Sequence, residues 1–108
     1  MKKLFLTVIA ITCFVFSANA IAFRTTQSIC ANGEKITMYR DGTFEMFVNS
    51  ELKVTGKYDW DSSRKIITLS VVINEEAGKW LISEVWFNSQ TQNVSYGYFN
   101  KKRYNACS

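Results

Sequence analysis

The chain has 108 residues, with 13 Lys and Arg against 9 Asp and Glu, no His, no Pro and three Cys. The absence of His removes the commonest general base and the commonest neutral metal ligand, and five scattered Gly form no phosphate-cradling loop. Lys2 and Lys3 belong to an N-terminal leader, so the remainder carries eleven basic against nine acidic residues; a net +2 lacks the strong basic face of a nucleic-acid binder and argues against that partner.

Residues 1–20 read as a cleavable signal peptide. Lys2 and Lys3 supply the positive start, Leu4 to Phe16 an almost unbroken apolar stretch, and Ser17-Ala18-Asn19-Ala20 the small-x-small ending that signal peptidase accepts. The apolar stretch is 13 residues long, whereas a helix needs roughly 20 to cross the hydrocarbon core, so no stable membrane span is expected. The expectation is an exported protein, periplasmic or secreted, with one domain over residues 21–108. Cys13 leaves with the leader. Cys30 and Cys107 remain, and an even pair in an oxidising compartment predicts a disulfide. By loop entropy, a bridge closing nearly the whole domain is worth roughly 4 kcal/mol.

Along the chain, every stretch between turn signals has strand length and none carries a 3.6-residue stripe. Phe23 to Ile29 is an opening pairing segment. Lys35 to Arg40 and Thr43 to Asn49 flank Asp41-Gly42, a hairpin signal that predicts a type I′ turn. Leu52 to Trp60 alternates strictly, with Leu52, Val54, Gly56, Tyr58 and Trp60 on one face. Lys65 to Asn74 places Ile67, Leu69, Val71 and Ile73 on one face and is rich in β-branched residues. Lys79 to Phe87, Val94 to Asn100 and Lys102 to Cys107 complete six to eight short strands. Asn49-Ser50, Asp61-Ser62-Ser63, Asn74 to Gly78 and Asn88 to Asn93 supply the later turns. The fold class is all-β, a small antiparallel meander closing into a β-barrel or small sandwich.

Asp41-Gly42-Thr43-Phe44, then Gly56-Lys57-Tyr58-Asp59-Trp60, then Lys65-Ile66-Ile67-Thr68-Leu69 resembles the run found in small lipocalin-like β domains of exported bacterial proteins. The resemblance covers residues 40–72 and implies a barrel with a lumen for a small apolar ligand. Cys30-Ala31-Asn32-Gly33 is similar to the opening of the periplasmic inhibitors of c-type lysozyme, small disulfide-tied barrels, although their later inhibitory-loop motif is missing here. That similarity implies an inhibitor of an extracellular hydrolase.

Chemistry concentrates late in the chain. Trp80-Leu81-Ile82-Ser83-Glu84-Val85-Trp86-Phe87 is apolar on both faces. Strict alternation puts Trp80, Ile82, Glu84 and Trp86 together, with Leu81, Ser83, Val85 and Phe87 opposite. An ionised carboxylate is costly to bury, which turns Trp80, Glu84 and Trp86 outward, where Tyr96 and Tyr98 of a neighbouring strand would extend an aromatic strip. Such a strip suits a protein or glycan; the competing arrangement packs these aromatics into a second small core. Lys101-Lys102-Arg103 forms a local basic patch, able to guard an edge or to steer toward an acidic surface. Asp59 and Asp61 bracket Trp60, but the Gly and distal Glu of a calcium loop are missing, so a strand-end turn is expected and no metal. With no thiol left free, no His and no cofactor motif, the expectation is a non-enzymatic binding module. The alternatives are a carrier holding an apolar ligand among Phe44, Met46, Leu52, Val54, Tyr58 and Trp60, and a carboxylate hydrolase using Glu84.

Overall fold

The computed structural model describes residues 22–107, so the leader over residues 1–20 lies outside the described residues. Eight strands follow one another: β1 Gln27–Ala31, β2 Glu34–Met38, β3 Thr43–Val48, β4 Glu51–Asp61, β5 Ile66–Ile73, β6 Glu76–Asn88, β7 Asn93–Phe99 and β8 Lys102–Ala106. Each pairs antiparallel with the next, and β8 returns to β1, so the meander is a closed barrel rather than a sandwich. Among the described residues no helix is long and apolar enough to cross a membrane.

Four connections are two-residue turns opened by Asn, with both residues at positive φ: Asn32-Gly33, Asn49-Ser50, Asn74-Glu75 and Asn100-Lys101. Asn enters this left-handed region at small cost, and the resulting turn matches the twist of the flanking strands. Asp41-Gly42 departs from the expected type I′ turn, since only Gly42 has positive φ. Tyr39 N–H donates to Thr43 O at 2.8 Å and Gly42 N–H to Tyr39 O at 3.1 Å, enclosing a three-residue loop. Asp41 Oδ1 accepts from the Thr43 N–H and hydroxyl within this longer loop. The Asp61 turn is built as expected: Asp61 Oδ1 accepts from Ser63 N–H at 3.0 Å, and Arg64 Nε donates to Oδ2 at 2.8 Å.

Inward residues fill the barrel. Ile29, Ile36, Met38, Phe44, Ile67, Leu69 and Ile82 are fully buried, with Tyr58, Trp60, Val85, Val94 and Tyr104 close behind. Eight strands enclose a space that such side chains just fill. Phe23 plugs one end, its ring 5.6 Å from Tyr58, 5.3 Å from Trp60 and 5.5 Å from Phe87. The Phe23 N–H donates to the Tyr58 hydroxyl, which donates in turn to Tyr39 O. Buried Gln27 ties the same end together, donating to Gln92 O and accepting from Val94 N–H, both at 2.8 Å. Its amide is fully employed, which is how a polar side chain stays buried.

Three register shifts, one in the β3–β4 pairing and two in the β6–β7 pairing, change which side chains face the core; in the last of them Trp86 pairs with Tyr96 but Phe87 with Val94, so Ser95 is an extra residue on β7. On β4, Met46 pairs with Val54 but Phe47 with Leu52, so Lys53 is the extra residue. Leu52 is therefore 49% exposed, not inward with Val54 as strict alternation predicts. On β6, Ser83 pairs with Tyr98 and Trp86 with Tyr96, so Glu84 and Val85 face Gly97 alone. Glu84 takes a left-handed φ of 49°, and the Val85 N–H donates to Lys65 O at 3.0 Å. One inserted residue exchanges the faces of everything beyond it.

The sulfur bridge joins Cys30 to Cys107 across 77 residues of sequence. It sits at the barrel seam, where β1 and β8 share two register pairs, Ile29 with Ala106 and Cys30 with Asn105. The Cys107 N–H adds a bond to Ser28 O at 3.0 Å.

Candidate functional site

The Glu84 bulge sorts the aromatic residues of β6 differently from either arrangement drawn from the sequence. Before it, Trp80 and Ile82 point inward; after it, Val85 and Phe87 do, and Trp86 points out. Trp80 is thus corrected from an outer to an inner position: it is half-buried against the core, 5.7 Å from the Phe99 ring. Glu84 is exposed, as its desolvation cost requires. Trp86 is 50% exposed.

Trp86 stands beside Tyr96 of β7, and Tyr96 beside Asn105 of β8. The next outer row holds Ser83, Tyr98 and Arg103. Tyr96 and Tyr98 meet edge to face at 6.4 Å, and the Arg103 guanidinium lies 4.0 Å from the centre of the Tyr96 ring. Arg103 Nε also donates to Asn105 Oδ1 at 2.9 Å, which fixes the guanidinium plane over the ring. Trp86, Tyr96, Tyr98 and Arg103 are thereby brought together on one outer face, with Glu84 at its margin.

The basic patch Lys101-Lys102-Arg103 does not share one surface. Lys101 forms the exposed turn with Asn100. Lys102 turns toward the barrel end opposite Phe23, its Nζ 3.2 Å from Glu34 Oε1. Strand alternation separates it from Arg103, which is outward. The Tyr104 hydroxyl donates to the same Glu34 oxygen. That bond, with Lys102 alongside, holds the Glu34 carboxyl below the usual glutamate range, while burial and Glu34 push the Tyr104 hydroxyl well above the tyrosine range. This cluster closes the second barrel end beneath Phe99 and Trp80.

The outer row extends further than the sequence suggests. From Trp86, Tyr96 and Asn105 it runs through Cys30, Lys35 and Phe47 to Leu52, crossing seven strands by register. The Lys35 ammonium covers the Phe47 ring at 5.2 Å. Phe47 and Leu52 were not singled out as surface residues, because the Lys53 bulge that places Leu52 outside leaves no mark on one strand read alone. The disulfide lies within this row, bracing the strands beneath the aromatic face.

Flat rings bury much area at small entropy cost, and a stacked arginine presents a planar set of donors already oriented. That combination has the flatness and the donors suited to contact with another surface or a sugar ring. Among the described residues no group of three or more His, Cys, Asp or Glu is placed to hold a metal ion. No protein-family model, curated protein or solved structure matches the chain.

Proposed function

We propose that this chain is an exported, non-catalytic binding module that recognises a protein or glycan of the cell envelope or exterior through the outer face of β6, β7 and β8. The observation that carries the reading is the convergence of half-exposed Trp86 with Tyr96, Tyr98 and the Tyr96-stacked Arg103. The leader read from residues 1–20 and the Cys30–Cys107 bridge both suit an oxidising compartment. The filled interior supports recognition from outside: Phe44, Met46, Tyr58 and Trp60, named above for a carrier lumen, pack against one another in the core.

The test is capture from envelope extract, paired with titration of intrinsic tryptophan fluorescence by soluble cell-wall glycan fragments. Trp86 is the most exposed of the three tryptophans and reports directly on this face. Trp86→Ala, read by capture, and Arg103→Ala, read by capture or quench, are each expected to weaken binding about tenfold, a common size for a central anchor, with the far-UV spectrum unchanged. Binding that survives both substitutions at full strength, or a fluorescence response to fatty acids alone, sinks the reading.

A further inference from the structure

Half a turn of the barrel away from β8, the sheet opens into a fork. β4 and β5 pair from Lys57 opposite Ser70 to Asp61 opposite Ile66, and beyond Lys57 and Ser70 they part. Over Glu51–Gly56, β4 pairs with β3 alone, and over Val71–Ile73, β5 pairs with β6 alone. Two strand edges with free backbone groups therefore border the fork, which opens onto a cleft of 590 Å³ lined by Gly56, Lys57, Ser70, Val72 and Lys79, among others, with Asp59 its single carboxylate against the two lysines. The free edge of β5 is aliphatic and uncharged, with Val72 69% and Ile73 44% exposed. An uncovered apolar edge is a template for a further strand.

Charge identifies the strand that fits. Lys57, Ser70 and Lys79 form one cross-strand row on the outer face, at the base of the fork. The same hairpin that supplies the apolar edge ends in a tight turn, Asn74-Glu75, followed by Glu76. Among the described residues, none of Lys57, Lys79, Glu75 or Glu76 has an ion-pair partner. An antiparallel β5 from a second molecule, paired about Ile73, would lay the free edge along its twin and bring its narrow acidic tip beside Val71, next to the two lysines at the base of the fork. By two-fold symmetry both forks are filled at once, which is the rule for a self-complementary interface. A lipid would leave the free backbone groups unmatched; a strand matches them.

The geometry points to association of this protein with a second copy of itself, by antiparallel pairing of the two β5 edges and insertion of each Glu75–Glu76 tip into the partner's Lys57–Lys79 fork. This surface is separate from the aromatic face and does not depend on what that face binds.

Sedimentation of the purified protein over a concentration series up to the millimolar range tests it. The expected result is a monomer–dimer equilibrium, with the amides of Val71–Ile73 exchanging more slowly as dimer forms. Reversal of the fork (K57E with K79E) or of the tip (E75K with E76K) should each weaken association at least about tenfold, since opposite charges across strands attract and like charges repel. Mixing the two reversed proteins should restore it as a heterodimer. Val72→Lys, which charges the edge itself, should abolish pairing in any mixture. All these side chains are exposed, and an unchanged circular dichroism spectrum checks the fold. A protein that stays monomeric throughout, or a dimer indifferent to both reversals, overturns the inference.

Discussion

Gly56 stands where β4 and β5 diverge, and its missing side chain is a packing requirement. A Cβ there would run into the backbone carbonyl oxygen of Ser70 and come within 2.9 Å of the Phe44 ring. Neither neighbour can retreat, one being main chain and the other fully buried. Gly56→Ala is expected to destabilise the domain by about 1–3 kcal/mol, the usual cost of overpacking, read as a lower urea midpoint with unchanged slope. Asp61 provides a second test of local structure. The Ser63 hydroxyl, Arg64 and nearby backbone N–H groups hold its carboxyl down to about 2, against an ordinary value of 3.8. Because the folded value is depressed, the stabilisation it lends is complete above pH 3.8 and disappears as pH falls through about 2. A carbon-detected titration of the Asp61 carboxyl should give a midpoint near 2, and Ser63→Ala should raise it; a midpoint at the ordinary value would remove the proposed bonds.

At the level of elements, the bulges decide what each strand presents. The run from Val54 to Trp60 keeps its alternation because neither its pairing with β3 up to Lys57 nor its pairing with β5 from Lys57 onward contains a register shift, and there the sequence pattern and the barrel agree. The antiparallel meander of short strands and the Cys30–Cys107 pairing were legible in the same way, from turn residues, period two and an even cysteine pair, whereas the count of eight within the expected six to eight, and barrel rather than sandwich, follow from the pairing of β8 with β1. Leu52, Trp80 and Trp86 were not fully legible. Their orientation depends on Lys53 and Glu84, which read as ordinary polar positions until the neighbouring strand supplies a register. The expected outward placement therefore matches the structure for Trp86 beside Tyr96 and Tyr98, while Trp80 turns inward instead. The Glu84 bulge can be tested directly. Its left-handed backbone tolerates Gly and penalises β-branched residues. Glu84→Gly should leave the melting temperature level or slightly raised, whereas Glu84→Ile should cost about 1–2 kcal/mol. Equal melting temperatures for the two variants would mean that the bulge lies elsewhere.

For the whole molecule, the seam governs stability. β1 and β8 share only two register pairs, and the disulfide spans 77 residues beside them. Replacing both Cys30 and Cys107 by Ser should cost about 2–5 kcal/mol, read by chemical denaturation, with amides of β1 and β8 losing protection first. A loss spread evenly over all eight strands would show that the seam is not the weak point. The same seam also sets the order of events during synthesis. A ring whose opening strand is fastened to its last cannot be completed by any partial length of chain, and its most distant contacts are among the last available. Until β8 has emerged, the nascent polypeptide is an unfastened ribbon, with β1 still waiting for the strand and the sulfur that close the ring.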